Sequence, residues 1–375
     1  MIPFLQLTPG EDASAVQAAI SRVVDRGWFV LGPELEGFER EFADATRVAH
    51  CVGVGTGTDA LAIALRALGI GRGDEVITTP LSAAYTALAV MMVGARPVFA
   101  DIDPERLTID PVAIASAVTP RTVAILPVHL YGQPADMMAI ADVAERHGLA
   151  IVEDCCQAHL ATCDGQPIGS FGTAAAYSFY PTKNLGALGD GGALSTNDPA
   201  IASRARRLRN GGQTDRYRHA EFGVNSRLDE LQAAVLRARL PYLRTWTERR
   251  RSIASAYRAA LSDLDAIVVP REHDPGHVYH LFPVLASDRT NAQSQLREAG
   301  IDTLIHYPVT IPQQPALSSE NPAACPVAAR VCEQVFSLPL YPALPDSAVA
   351  RVSGALGRRA ADADSHGRNE QPAER

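Results

Sequence analysis

The stretch SFYPTKNLGALGDGG, Ser178–Gly192, contains Lys183, which is the only lysine among 34 basic residues. An amine can lose its proton and attack a carbonyl carbon to form a Schiff base, whereas a guanidinium stays charged. Composition alone also permits a lysine kept by chance, so the surroundings of Lys183 have to decide. Those surroundings are a predicted strand that ends near Ser178 and Tyr180, followed by a loop rich in glycine.

Short apolar runs on both sides of this loop alternate with helical patterns between Val52 and Ser195. Such alternation is typical of parallel strands joined by helices that cover both faces of a sheet. The sequence therefore predicts an α/β fold with a mostly parallel, seven-stranded sheet between helices. The predicted strands are CVGVG, EVITTP, RPVFADID, TVAILPVHLYG, LAIVEDCCQ, AAAYSFYP and GGALST.

The pattern changes after the sheet, where the amphipathic helix SRLDELQAAVLRARLPYL is broken at Pro241 and a second helix begins near Trp246. The remaining strands are predicted as AIVVP, VYHLFPVLA and IDTLIHYP, mixed with the helices NAQSQLREAG, AARVCEQVF and DSAVARVSGALGRR. We predict a large domain over residues 1–245, a smaller C-terminal α/β domain over 246–360 and a disordered polar tail over 361–375.

Composition excludes several classes of function. With 375 residues and 47% hydrophobic content the chain can bury a substantial core, and a net charge of -8 argues against general nucleic-acid binding. No signal sequence and no apolar run long enough for a bilayer is evident, so we expect a cytoplasmic protein without a membrane partner. The six cysteines show no paired spacing and are expected to be free thiols.

A phosphate site is predicted where the strand CVGVG runs into the helix that begins near Gly57 and Thr58. The free N–H groups and positive end of a helix N-terminus hold anions, and threonine hydroxyls add donors. A dinucleotide site is the rival interpretation, although the third glycine of a G-x-G-x-x-G pattern would fall on Thr58. A third interpretation of this junction is a strand-to-helix turn that binds no ligand.

An acidic group is predicted at the carboxyl end of another strand, where Glu153 and Asp154 follow the apolar run LAIV. Ligands of parallel sheets bind at this edge, and a carboxylate there can hold a proton on a heterocyclic nitrogen. Gln157 and His159 would lie close by. Alternatively, Asp154 caps the following turn. The cysteines, Asp154 and His159 lack a recognisable ligand spacing, so no metal site is predicted.

These three features together predict a pyridoxal 5'-phosphate site. Lys183 would bind the aldehyde, Asp154 the ring nitrogen, and the phosphate would lie against Gly57, Thr58 and Ser178.

The chain resembles the fold-type-I aminotransferases of the DegT/DnrJ/EryC/StrS group over nearly its whole length. The matching motifs are GTGTDAL, GARPVFADID, EDCCQAHLA, SFYPTKNLGALGDGGAL, GVNSRLDELQAA and IHYPV. The resemblance implies that Lys183 forms the Schiff base, Asp154 pairs with the pyridine nitrogen and Gln157 contacts the ring oxygen. It also implies a homodimer with shared active sites, in which Asn225 completes the phosphate site of the other subunit.

One position departs from the family pattern. Ala83 stands where relatives place an aromatic ring that stacks on the cofactor, and Tyr85 is the nearby residue that could replace it. The residues expected to face the substrate are Tyr85, His159, Arg227, His306 and Tyr307.

The resemblance implies transfer of an amino group from an amino acid, L-glutamate, to the keto group of a nucleotide-linked deoxysugar. Relatives that dehydrate sugars carry histidine in place of Lys183, so the lysine favours transamination. The loop NLGALGDGG is similar to that of enzymes acting at C-3, which predicts a dTDP-3-keto-6-deoxyhexose. The alternatives are a 4-keto nucleotide sugar, a cyclitol ketone, an NAD-dependent oxidoreductase and a non-catalytic regulator that binds the cofactor.

Overall fold

The structure is a computed structural model that describes residues 1–7, 10–317 and 324–366, with side chains described up to residue 357. Among these residues, no helix combines the length and the apolar character that a bilayer crossing requires.

A seven-stranded sheet lies at the centre, as the sequence predicted. Its strand order is β1-β9-β8-β5-β4-β2-β3; β9 runs antiparallel to both neighbours, and the other pairs are parallel. The strands of the described chain are β1 (His50–Val54), β2 (Glu75–Thr78), β3 (Arg96–Phe99), β4 (Thr122–Leu126), β5 (Ala150–Asp154), β6 (Thr162–Cys163), β7 (Gln166–Pro167), β8 (Ala174–Ser178), β9 (Gly192–Thr196), β10 (Gln213–Asp215), β11 (Arg218–His219), β12 (Ile267–Val268), β13 (Phe282–Ala286) and β14 (Val335–Leu338).

Helices cover both faces of this sheet and continue into the C-terminal part. They are α1 (Ala13–Arg26), α2 (Pro33–Thr46), α3 (Gly57–Ala67), α4 (Tyr85–Met92), α5 (Pro111–Ala117), α6 (Met137–His147), α7 (Pro199–Leu208), α8 (Glu230–Arg239), α9 (Leu243–Leu261), α10 (Arg289–Glu298), α11 (Pro326–Gln334) and α12 (Asp346–His366). A 3₁₀ turn, Leu240–Tyr242, separates α8 from α9 at the predicted proline break.

Successive residues of a strand point to opposite faces of the sheet. Because consecutive residues of these strands are apolar, both faces of the sheet are apolar. Ile151 belongs to the core that contains Phe38 of α2, whereas its neighbour Val152 belongs to the core that contains Leu61 of α3. Each fully buried side chain of this size contributes about 1.5–3 kcal/mol of transfer free energy. The runs of consecutive apolar residues in the sequence are therefore the signature of a sheet buried on both sides.

A separate apolar core holds the C-terminal part together. It contains side chains of α9, α12, β13 and β14, and Ile2 from the N-terminus packs into it and pairs with Ile301. The division at residue 245/246 stays a prediction. Helix α12 extends to His366, and the remainder of the predicted tail, residues 367–375, lies outside the described residues.

Two C-terminal elements differ from the sequence-based prediction. The segment IDTLIHYP is not a strand, since its sheet-like pairing is limited to bridges at Ile301 and Leu304. Val335–Leu338, whose first half was predicted as helix, forms strand β14, which pairs with the central strand β13 of the small sheet. The backbones of Ser337 and Leu304 exchange two hydrogen bonds, at 2.7 and 3.4 Å. Short apolar runs of this kind do not distinguish strand from helix by periodicity alone.

Candidate active site

The candidate site lies at the carboxyl ends of β5 and β8, which are neighbouring parallel strands. Asp154 is the last residue of β5 and pairs with Ala176 of β8. Lys183 lies in the glycine-rich loop that follows β8. Its backbone N–H donates to the Tyr180 carbonyl at 2.8 Å. The order of the strands thus brings the Asp154 carboxylate and the Lys183 amine to the same edge of the sheet, although the two residues are 29 positions apart in the sequence.

Both carboxylate oxygens of Asp154 are held in place. The Thr86 hydroxyl, on α4, donates to Oδ2 at 2.8 Å, and the Cys156 backbone N–H donates to Oδ1 at 3.1 Å. Asp154 is only 4% exposed. A buried carboxylate with fixed orientation suits a partner that offers a positive N–H group.

The Lys183 amine has an altered protonation equilibrium. Burial lowers the pKa of Lys183 below its usual value, and the nearby Cys156 sulfur and Asp154 carboxylate partly oppose this effect. A lowered pKa increases the fraction of neutral amine, which is the form that attacks a carbonyl carbon. The lowered pKa agrees with the Schiff-base interpretation of Lys183, which stays a prediction.

The N-terminus of α3 closes the site on another side. Thr56 caps this helix by accepting the Asp59 N–H at 3.0 Å, so the first amides of the helix remain directed outward. A Cβ atom at Gly57 would lie 2.7 Å from Ser178 Cβ and 2.8 Å from Cys156 Sγ, so the position admits only glycine without rearrangement. Thr58, the next residue of α3, is partly exposed. The predicted phosphate site, called the anion cup below, would lie at this helix N-terminus against Gly57, Thr58 and Ser178, and it stays a prediction.

A hydrogen-bond chain connects this edge to the C-terminal core. Gln157 accepts from the Tyr131 N–H at 2.8 Å and donates to the Tyr307 hydroxyl at 3.2 Å. The Tyr131 hydroxyl donates to the His306 carbonyl, and His306 Nδ1 lies 3.0 Å from Ser337 Oγ. Burial raises the pKa of Tyr307 to about 12, so its hydroxyl stays protonated at neutral pH. The structure thus brings Gln157, His306 and Tyr307 together, and their contacts with cofactor and substrate stay predictions.

His159 lies behind the lysine in the apolar interior. Its ring packs at 5.8 Å from the Tyr177 ring and 5.6 Å from the Phe179 ring. Both ring nitrogens are buried, and the Ser178 backbone is a polar group that acts on the ring. Burial, and then the charge of Lys183, lower the pKa of His159 to about 3, so the ring is neutral. Contact of His159 with the substrate stays a prediction, and the complete burial of the ring argues against it.

Three other predicted residues, Tyr85, Asn225 and Arg227, lie on α4 and on the segment that precedes α8. Tyr85 is the first residue of α4 and is 64% exposed, while Ala83 is partly buried. Asn225 is exposed and forms a β-bridge with Asn210, whose side-chain oxygen accepts from Arg227 at 3.0 Å. Their roles stay predictions that require a partner subunit or a bound ligand.

One buried cluster of the described residues brings three potential metal ligands together. Ligand atoms of His129, Glu153 and Cys155 lie within 4.8 Å of one another. The Glu153 carboxylate already accepts from backbone N–H groups at 2.7–2.9 Å, and His129 Nδ1 accepts from the Ala135 N–H at 3.1 Å. His129 Nε2 must then carry the proton toward Glu153, at 3.1 Å. The cluster is a satisfied network that anchors the end of β5 beside Asp154.

Sequence reasoning missed three residues of the site: Thr86, Cys156 and Tyr131. Thr86 lies 68 positions before Asp154, and only the packing of α4 against the sheet brings them together. Cys156 lies two residues after Asp154 in the sequence, but no sequence pattern predicted that its sulfur would pack against Gly57.

Comparison with known proteins agrees with this geometry. Residues 11–357 match the DegT/DnrJ/EryC1/StrS aminotransferase family. The chain belongs to this family. As a family member it is an aminotransferase with the α/β architecture of fold type I, which confirms the predicted family, fold class and enzyme class.

Two relatives resemble the chain over nearly its whole length. A dTDP-3-amino-3,4,6-trideoxy-alpha-D-glucose transaminase from Streptomyces venezuelae is 48% identical over 360 residues, covering 95% of each chain. The erythromycin biosynthesis sensory transduction protein EryC1 from Saccharopolyspora erythraea is 47% identical, covering 95% of this chain and 98% of the relative. A crystal structure of S. venezuelae DesV in complex with ketimine intermediate superposes with a TM-score of 0.93 at 48% identity, covering 95% and 98% of the two chains.

Proposed function

We propose that this family member uses pyridoxal phosphate to transfer an amino group from L-glutamate to the keto group of a nucleotide-linked deoxysugar. The observation that carries the proposal is the pairing of a lysine of lowered pKa with a buried, oriented carboxylate at one sheet edge. When bound, the cofactor supplies a carbonyl that accepts the amino group and a protonated ring that withdraws electrons from the donor.

The residues present fit this cofactor. Asp154 would hold the proton on the ring nitrogen, because its two oxygens are already oriented by Thr86 and Cys156. The phosphate would lie at the N-terminus of α3 against Gly57, Thr58 and Ser178, where packing leaves no room for a Cβ at residue 57. Gln157 would contact the ring oxygen. The candidate stacking residue in place of Ala83 is Tyr85.

The proposed catalytic work of the chain falls on Lys183. Its Nζ would take the proton from the α-carbon of the donor and later return one to the sugar carbon that receives the amine. Burial lowers the pKa of Lys183 and so increases the fraction of neutral amine relative to a free lysine.

We further propose a homodimer with shared sites. Asn225 is exposed and therefore accessible to a second copy of the chain. Large apolar side chains are exposed on neighbouring segments, which supports a protein contact there; they include Trp28, Phe29, Tyr180 and Leu188.

The proposed acceptor is a dTDP-3-keto-6-deoxyhexose, which gives the 3-amino sugar. Support comes from the loop after Lys183 and from the similarity to the 48% identical dTDP-3-amino-3,4,6-trideoxy-alpha-D-glucose transaminase. The experiment supplies the amine-loaded enzyme with 3-keto and 4-keto dTDP sugars and with scyllo-inosose, and identifies products by mass and NMR. The 3-keto sugar should be aminated fastest; faster amination of either competitor would overturn this assignment.

A non-catalytic regulator is the second candidate, since a 47% identical relative is named a sensory transduction protein. A regulator would bind the cofactor at Lys183 yet release no 2-oxoglutarate from glutamate.

A further inference from the structure

Residues 277–281 lead into β13 and pack against the turn that follows β4. The Val278 N–H donates to the Gly132 carbonyl at 3.0 Å, and the Leu281 N–H donates to the Tyr131 carbonyl at 3.3 Å. The approach is close, since a Cβ atom at Gly132 would lie 2.9 Å from a backbone nitrogen of the 277–281 segment. Two hydrogen bonds and direct backbone contact therefore hold this segment beside the sheet edge of the candidate site.

Asn184, the residue after Lys183, connects the glycine-rich loop to the same segment. Its side chain is 5% exposed, and its Nδ2 donates to the Val278 carbonyl at 3.0 Å. Its Oδ1 lies 3.3 Å from His280 Nδ1. A carbonyl can only accept, so Nδ2 has to face Val278, and Oδ1 then requires a proton on His280 Nδ1. Both ends of the Asn184 amide are thus used by the 277–281 segment.

Two arginines of α9 hold the remaining carbonyls of this segment. Arg250 Nη1 donates to the Tyr279 and His280 carbonyls at 3.1 and 3.2 Å, and Arg251 Nε donates to the His277 carbonyl at 2.8 Å. With the Asn184 contact, all four carbonyls from His277 to His280 accept from side chains. A buried backbone segment that is satisfied in this way favours a single conformation, because other conformations would leave carbonyls unpaired.

The His280 ring is neutral in this environment. Burial, and then the charge of Lys183, lower the pKa of His280 well below its usual value. A neutral imidazole carries one N–H group. The proton that His280 keeps is therefore the one at Nδ1, which it donates to Asn184.

We infer that Asn184 is a positioning residue, which fixes the place of Lys183 by tying its loop to the 277–281 segment with the help of His280. The inference rests on the proposed Schiff-base role of Lys183 and adds the contacts that orient it. Lys183 has a long side chain on a loop rich in glycine, and Asn184 anchors the backbone directly beside it. A displacement of a reacting group by about 1 Å can cost about a hundredfold in rate.

The first test measures bond formation without turnover. Full-length protein freed of cofactor is mixed with pyridoxal phosphate, and the visible Schiff-base band is followed by stopped-flow absorption. Lys183 is the only lysine, so borohydride reduction and peptide mass distinguish its product from that of the N-terminal amine. Asn184→Leu and His280→Leu should each slow band formation about tenfold or more. His280→Asn, whose amide nitrogen can take the place of Nδ1, should restore most of the rate.

A matched control separates positioning from stability. Tyr257→Phe removes a buried hydroxyl that donates to the Pro339 carbonyl at 3.0 Å in the C-terminal core. It should lower the melting temperature and leave the rate of band formation unchanged. Unchanged rates in folded Asn184→Leu and His280→Leu proteins, or equal slowing in Tyr257→Phe, overturn the inference.

A milder variant keeps the test decisive if the two leucine variants fail to fold. Arg251→Met removes the donor to the His277 carbonyl from a side chain that is only partly buried. It loosens the 277–281 segment without touching the glycine-rich loop, so it should slow band formation in the same direction. An unchanged rate in Arg251→Met would then overturn the inference.

Steady-state kinetics distinguish positioning from substrate binding. Asn184→Leu should lower kcat about tenfold or more and leave KM for glutamate and for the sugar nucleotide nearly unchanged. A raised KM with unchanged kcat would place Asn184 in substrate binding and overturn the inference. If the wild-type protein forms no reducible bond between Lys183 and pyridoxal phosphate, the proposed function itself fails. If the wild type forms that bond and the variants form it equally fast, the inference alone fails.

Discussion

At the scale of single residues, the hydrogen bond from Thr86 to Asp154 has the largest consequence for the chemistry. The carboxylate needs a fixed direction to hold a proton on a bound ring, and Thr86 supplies the side-chain donor that fixes Oδ2. Because Thr86 is 2% exposed, water cannot replace its hydroxyl. The residue acts through Asp154 and is therefore a positioning residue.

Thr86→Val should slow the donor half-reaction about tenfold, since it leaves one oxygen of a buried carboxylate without its donor at a cost of about 1.5–3 kcal/mol. Thr86→Ser should restore the rate. The matched control is Thr78→Val, which removes a buried hydroxyl that donates to the Leu126 carbonyl at 2.8 Å in the same sheet. Stopped-flow absorption measures the rate and thermal melting measures stability. If Thr78→Val and Thr86→Val lose stability alike and neither changes the rate, Thr86 has only a structural role.

Lys183, Asp154 and Gly57 could be predicted from the sequence because their local context is unusual: a solitary lysine, a carboxylate ending an apolar strand, and a glycine opening a helix. Thr86 and Tyr131 could not, because their contacts depend on how distant elements pack. His159 shows the converse. Its place in a motif suggested a polar role, whereas the fold surrounds it with aromatic rings.

At the scale of elements, the junction between α3 and the sheet is set by close backbone approach. A Cβ atom at Gly192, the first residue of β9, would lie 2.3 Å from the Thr56 carbonyl carbon, so the helix start and the strand are in direct backbone contact. Together with Gly57 this contact holds the helix N-terminus against Ser178. The anion cup is thus a product of tight packing between two strands and one helix.

Gly57→Ala should lower the free energy of unfolding by about 1–3 kcal/mol through overpacking and weaken the affinity for pyridoxal phosphate. Gly354→Ala is the control, because a Cβ there meets nothing within 4 Å on an exposed part of α12. That change should be neutral or stabilising by up to about 1 kcal/mol through helix propensity. Chemical denaturation and cofactor titration check both variants. Equal cofactor affinity in the two proteins would refute the role assigned to the α3 N-terminus.

The seven strands of the central sheet were predictable because burial on both faces makes each of them a continuous apolar run. The C-terminal strands were harder, since β14 follows α11 without a turn signal and IDTLIHYP has strand-like composition but lacks a continuous partner. In both cases long-range pairing decided the structure, and local composition did not.

At the scale of the whole molecule, the exposed position of Asn225 predicts that two chains build each site. Lys183→Ala and Asn225→Asp proteins should each be inactive. Mixing them under conditions of subunit exchange should restore about a quarter of wild-type activity, because half of the dimers carry one intact site. Two Lys183→Ala preparations mixed together serve as the control. Exchange of subunits, verified by mass, without return of activity would contradict the shared site.

The central claim is that Lys183 carries the amino-transfer chemistry, and the absorption spectrum of the protein loaded with pyridoxal phosphate tests it most directly. We expect a yellow protein that loses its visible band when glutamate is added, releases one equivalent of 2-oxoglutarate per site and recovers the band with the 3-keto dTDP sugar. Lys183→Arg should fold normally and show neither the band nor the release. A wild-type protein whose spectrum does not respond to glutamate, or a Lys183→Arg protein that still transfers the amino group, would contradict the account.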